Sequence, residues 1–340
     1  MKTFILTICY GFLSQAAGLM AASVPTYSVQ IIAEHAGYTH PFSPIDLNNA
    51  GQALIEEWQF GTNPNDPNDR FIDMPVLTNT TGLKTPPCVY AGCVCNHFGT
   101  AVNDLGFVVG YSQPTDCATG GSNGFLISNQ TAINLKNFKP FSLNNKGQIV
   151  GMLNQSAIIL MPHGYVIDLS KLFPQGHVAV GLINDVYDEQ GVGEVFGQLS
   201  SNGAQHAFCY KNQTLLDLGA KLCPNGNNST ITATSPMGNL LGYCRSQQTL
   251  YFAYHAADQS LSYADEYVNA ADINDKGWIV AQHDNLPYLI IDGQPYPIYD
   301  LISPNSYLDE GFVVKSINNQ GQILGGFGLS TVIALLTPDN

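Results

Sequence analysis

One short pattern recurs seven times along this chain: an apolar residue, Asn, a small or polar residue, any residue, Gly, then an apolar run. The copies read LNNAGQALI from Leu47, VNDLGFVVG from Val102, LNNKGQIVG from Leu143, INDVYDEQGVGEVFG from Ile183, TSPMGNLLG from Thr234, INDKGWIVA from Ile273 and INNQGQILG from Ile317. The key Asn is at positions 48, 103, 144, 184, 274 and 318, with Ser235 in the fifth copy, so the separations are 55, 41, 40, 51, 39 and 44 residues. A period of about 40 residues with local insertions suits units of four short strands, the repeat length of a propeller blade.

Each copy reads as a hairpin. The Asn side chain can bond backbone two residues on, as an Asx-turn, and the Gly three residues after it supplies a positive φ. The six Asn side chains are therefore read as turn formers, not as a ligand-binding ring. A second Gly at 110, 151, 197, 242 and 325 predicts crowded backbone or a bulge, with Ile55 and Ala281 in its place in copies one and six. Two more strands follow. Candidates for the third include Gly124–Ile127, His206–Cys209 and Tyr288–Ile291, and the fourth ends in pairs such as Asp168-Leu169, Asp217-Leu218 and Asp300-Leu301. Such short apolar runs between turn residues suit buried strands.

The chain ends complete the count. Thr331–Leu336 gives the last unit a third strand and no fourth, while Tyr27–Ile32 is a spare strand before the first hairpin. Pairing the two removes an open edge. The prediction is an all-β, seven-bladed β-propeller closed by its N-terminal strand. Residues 1–22 read as a signal peptide: Lys2, then the apolar run Phe4–Leu13, then small residues at Ala16, Ala17, Ala21 and Ala22. Residues 23–340 form a single domain, secreted or periplasmic, with no later membrane span and the state of a monomer. A net charge of −14 disfavours nucleic acid, whose phosphates it would repel.

With Cys9 in the signal, seven cysteines remain to meet an oxidising compartment. Cys223 precedes the fifth hairpin and Cys244 follows its second strand, so loops on one end bring them together. The second unit repeats that layout, pairing Cys117 with one of Cys88, Cys93 and Cys95, Cys93 by preference; Cys88–Cys95 is then a third bridge. Cys209, mid-strand, is expected to be a buried free thiol.

The Asn-containing hairpins, with His206-Ala207-Phe208 and Leu216-Asp217-Leu218, resemble the HAF repeat family of extracellular proteins over nearly the whole mature chain. The resemblance implies secretion and a repetitive β fold. It brings no catalytic residues. The first unit departs from the pattern through a long insertion, and the fifth through Ser235-Pro236.

Local motifs for chemistry are weak. Gly120–Gly124 matches a nucleophile elbow in spacing but leads into a strand rather than a helix. Asp66 and Asp69, in an Asn/Pro-rich stretch, offer oxygen ligands for calcium but lack the Gly and distal Glu of an EF-hand loop. The loops opposite the Asn hairpins carry the long insertions and would present His35, Tyr38, His40, Trp58, Arg70, His97, His177, Arg245, His283 and Asp284 on one face. The expected function is a non-catalytic secreted binding module for a glycan or protein ligand on that face, with no cofactor beyond calcium. The alternative is a secreted polysaccharide hydrolase or lyase using His and Asp/Glu from the same loops.

Overall fold

The computed structural model describes residues 24–34, 42–60, 71–78, 83, 94–115, 122–129, 131–223, 228–246, 249–264, 267–306, 308, 310–327 and 332–339. Antiparallel strands dominate it, and each repeat folds as one up-and-down sheet. Unit two runs Cys95–Val102, Val108–Pro114, Asn123–Ser128 and Thr131–Lys136, and unit three runs Phe138–Leu143 to Val166–Asp168. Unit six is Ala270–Ile273 to Gln294–Pro297. Units four and five, starting at His177–Tyr187 and Asn228–Thr234, meet at a parallel bridge, Gln205↔Asn228. Among the described residues unit one has three strands, Phe42–Leu47, Ala53–Phe60 and Phe71–Leu77.

Unit seven takes its fourth strand from the other end of the chain. Phe312–Ile317, Ile323–Phe327 and Val332–Pro338 are followed in the sheet by Tyr27–Glu34. The pairing is antiparallel from Tyr27↔Pro338 to Glu34↔Val332, with one irregularity between Ile31 and Ala33. Tyr27 is fully buried there and its hydroxyl donates to the Gly321 carbonyl at 3.0 Å.

The repeated motif forms the hairpin between the first and second strands. In unit one the Asn48 carboxamide oxygen accepts from Ala50 N–H (3.1 Å) and Gln52 N–H (2.9 Å). The turn Gly takes φ between 71° and 90° in all seven units. Unit four differs. Its hairpin is longer, and the turn is made by Asp188, which accepts from Gln190 and Val192 N–H at 2.9 Å each, with Gly191 after it.

The second Gly meets both expectations. In every unit the first strand carries a register shift opposite this position, such as Gly99/Ala101 and Val180/Leu182. A Cβ on Gly110 would lie 2.1 Å from the Phe98 carbonyl oxygen, and one on Gly197 2.0 Å from that of Ala179. In six units the residue at the bulge lines one shared cavity: Ile45, Thr100, Phe141, Thr232, Ala271 and Lys315.

The Asp-Leu pairs do more than end a strand. Asp168 caps the short helical turn Leu169–Leu172, accepting from Ser170 N–H (3.1 Å), and Asp217 accepts from Gly219 N–H (2.7 Å) where the turn Gly219–Leu222 begins. Leu169 is then fully buried in the core. Asp300-Leu301 lies in such a turn, Ile298–Leu301, beyond the strand Gln294–Pro297.

Candidate functional site

Two places concentrate polar chemistry, one at each end of the units. The first is a cavity of about 300 Å³ at the Asn-hairpin end. The carboxamide nitrogen of every turn Asn but Asn184 reaches the next unit: Asn48 donates to Asn103 O (2.8 Å), Asn103 to Asn144 O (3.0 Å), Asn144 to Asn184 O (3.2 Å) and Asn274 to Asn318 O (3.0 Å). Asn318 donates back to Asn48 O at 3.0 Å. In unit five Ser235 keeps the turn bond, accepting from Asn239 N–H (3.1 Å), and Asn239 takes over the reach to Asn274 O (2.9 Å). The residues after the turn Asn make a second chain of bonds. Asn145 bridges Asp104 (2.8 Å) and Asp185 (2.7 Å) through one amide nitrogen, and Asn319 bonds both Asn49 and Asp275.

Deeper in the cavity, Asp46 accepts from Leu47 N–H (2.8 Å) and Val102 N–H (3.0 Å). Asp272 accepts from Ile273 N–H, from the Ser316 hydroxyl (2.7 Å) and from Ile317 N–H (3.0 Å). Loss of solvent pushes Asp272 up to about 6 against the pull of the Ile317 and Ser316 donors, and the charge of Asp46 adds to the rise. Burial raises Asp46 too. Both carboxylates line the cavity, and each clips one unit to the next. The turn Asn residues are thus turn formers, as their spacing implies, and all but Asn184 are donors to the next unit as well.

The second place is at the opposite end, where second strands turn into third strands. A pocket of about 240 Å³ between units five and six is lined by Thr232, Tyr243, Arg245, Thr249, Tyr251, Tyr267 and Asn269, among others. Tyr243 and Tyr251 face each other across adjacent strands, with ring centroids 6.1 Å apart at 58°. The Arg245 guanidinium sits 5.3 Å from the Tyr243 centroid. Tyr267 is buried at the base, its hydroxyl 3.0 Å from the Ser262 hydroxyl. Flat aromatic walls beside exposed donors suit a ligand with apolar faces and many hydroxyls.

Of the residues expected on this face, Arg245 lines the pocket. His177 is exposed at the start of its strand, and His283 pairs with Asp284 at 3.4 Å in an exposed hairpin. Neither joins Arg245 in the pocket. His97 is a correction: it is 6% exposed, its Nδ1 lies 2.7 Å from Ser112 Oγ, and its ring meets Phe125 edge-on. Odd positions of Cys95–Val102 point inward, and burial lowers His97 to about 4, keeping it neutral. Trp58 lies in Ala53–Phe60, its backbone paired with Asp73. His35, Tyr38, His40, Arg70, Asp66 and Asp69 lie outside the described residues, as do Cys88, Cys93 and Cys117. Cys95 is disulfide-bonded. Cys223–Cys244 is a disulfide with a Cα separation of 5.5 Å, and Cys209 is free and buried, as their positions imply. Sequence reasoning missed Tyr243, Tyr251, Thr249 and Asn269. The available signal was a pair of tyrosines at mirrored distances from the turn after Arg245.

No family model matches the chain, and no curated protein matches it. Solved structures do. A gluconolactonase from Xanthomonas campestris, XC5397, is 7% identical over 92% of this chain and 98% of its own, with a TM-score of 0.42. A chain of a mitotic checkpoint complex is 11% identical over 99% of both, with a TM-score of 0.46. The Cps50 (Swd1) beta-propeller domain of Myceliophteria thermophila is 9% identical over 92% of this chain and all of its own, at 0.46. These likenesses concern the fold and carry no ligand. The chain is an all-β protein with a β-propeller among its structural neighbours.

Proposed function

We propose that the chain is an exported seven-bladed β-propeller, closed by the strand Tyr27–Glu34 and related to the HAF repeat proteins, that binds a glycan without cleaving it. The observation that carries the ligand class is the Tyr243–Tyr251 pair beside Arg245, Thr249 and Asn269. Aromatic faces stack on the C–H faces of a sugar ring while Arg and Asn bond its hydroxyls. The return of interunit bonding from Asn318 to Asn48 supports ring closure, and the Cys223–Cys244 disulfide supports an oxidising compartment.

A glycan array probed with the intact chain, read for both retention and released fragments, tests this. Retention without cleavage is expected, with Tyr251→Ala weakening it at least about tenfold. Fragment release without durable retention would overturn the reading in favour of the hydrolase or lyase. Retention on protein but not glycan spots would replace the ligand class.

A further inference from the structure

The junction between units four and five breaks the repeat twice. In unit four the turn has moved out to Asp188, and the Asn184 amide nitrogen donates to Glu194 at 3.2 Å. In unit five Ser235-Pro236 stands where other copies have Asn followed by Asn or Asp, and the Pro236 carbonyl accepts from Asp185 N–H at 3.0 Å. The Asn-to-backbone reach that ties other neighbours together is absent from this junction among the described residues.

A cleft of about 590 Å³ opens beside these departures. That volume is within the range of about 300–1,000 Å³ usual for small-molecule sites. Its walls are Phe196, Leu216, Leu218, Met237, Leu240 and Tyr254, and the free thiol of Cys209 lies against it. Met237 and Leu216 are 62% and 45% exposed, apolar surface left in water at the cleft edge.

The cleft lining carries two carboxylates, Glu194 and Asp275, and two cations, Lys211 and Lys221, and they are engaged differently. Glu194 is engaged by Lys211 at 2.5 Å. Asp275 already accepts from Met237 N–H (2.7 Å) and from Asn319. Lys221 stacks over the Tyr254 ring, its ammonium 4.8 Å from the centroid, and pairs with none of the described carboxylates. A protein of net charge −14 thus presents an unneutralised cation against an apolar wall.

We propose that this cleft binds an apolar small molecule bearing a carboxylate. Its hydrocarbon part packs on Leu216, Leu218 and Met237, and its carboxylate meets Lys221. The site is separate from the Tyr243–Tyr251 pocket, and neither reading depends on the other.

Calorimetric titration of the intact chain with decanoate, decanol and decylamine, each below its aggregation threshold, tests the proposal. Decanoate is expected to bind one per chain, at least about tenfold tighter than decylamine. Decanoate should also slow maleimide labelling of Cys209, read by mass. Lys221→Glu, at an exposed position, should abolish the preference for decanoate while leaving decanol binding unchanged; Met237→Asp should weaken all three. Equal affinity for the three, no saturable binding, or a preference that survives Lys221→Glu would overturn it.

Discussion

Replacing Asn318 tests the interunit bonding directly. The side chain is 3% exposed. Its nitrogen donates to Asn48 O (3.0 Å) and Gln322 Oε1 (2.8 Å), and its oxygen accepts from Gln320 N–H (3.1 Å) and Gln322 N–H (2.9 Å). Alanine deletes all four bonds and strands buried partners at both ends. Taking about 1 kcal/mol per bond, with an added penalty for buried groups left unmade, the loss is about 3–5 kcal/mol. Serine should cost about 1–2 kcal/mol less, because it can keep a turn bond, as Ser235 does for Asn239 N–H, but cannot reach Asn48. Urea unfolding followed by far-UV circular dichroism gives the magnitude. Trp278 fluorescence reports the turn itself, since its ring packs on Gly321. A loss for Asn318→Ala below about 0.5 kcal/mol, the range of an ordinary surface change, would refute the assignment of these bonds to the stability of the junction between the last unit and the first.

Gly197→Ala should destabilise by on the order of 3 kcal/mol, because its Cβ would lie 2.0 Å from a backbone oxygen, whereas Gly181→Ala, with open space around it, should stay within about 0.5 kcal/mol in the same urea assay. Removing the Cys223–Cys244 bridge, which closes 21 residues, should cost about 3 kcal/mol, seen as a lower urea midpoint for the double serine variant. Glu56 has a buried oxygen without a partner, and burial, then the Asp73 charge, raises it from 4.5 to about 7. Its folded value lies above its unfolded one, so ionising it opposes folding: the penalty is absent below pH 4.5 and complete above about 7. Glu56→Gln should therefore stabilise the protein by about 1–2 kcal/mol at pH 8, after allowance for part exposure, and less at pH 5; an equal gain at both would contradict the linkage.

Much of the architecture was legible because it rests on local chemistry. An Asn and a Gly at hairpin spacing dictate their turn without reference to the rest of the chain, and a cysteine on each side of one hairpin points to Cys223–Cys244. What stayed hidden depends on neighbours about one repeat away. The second role of Asn48 is visible only once Asn103 stands beside it, and the migration of that role from position 235 to 239 needs the unit boundary. The turn at Asp188 was masked by the Asn184 copy it replaces. His97 was read as a loop residue because the start of its strand, Cys95–Val102, is not marked by spacing; inside that strand the alternation turns it toward the core. The Tyr243–Tyr251 pocket depends on the register across their turn, which spacing leaves open.

The sheet of unit seven, built from both ends of the chain, has a consequence for biosynthesis. Ser28 bonds Thr337 across 309 positions of chain. At about 5–20 residues per second the ribosome needs roughly 15–60 s to make that stretch. For that interval the strand Tyr27–Glu34 has no mate, although every hairpin from Asn48 onward can already form. Two nascent chains side by side could each lend this strand to the other, trading partners through the same register that joins Tyr27 to Pro338. Slow completion of the longest-range pairing, rather than weakness of any one sheet, is then the step that decides whether a chain pairs with itself or with a neighbour.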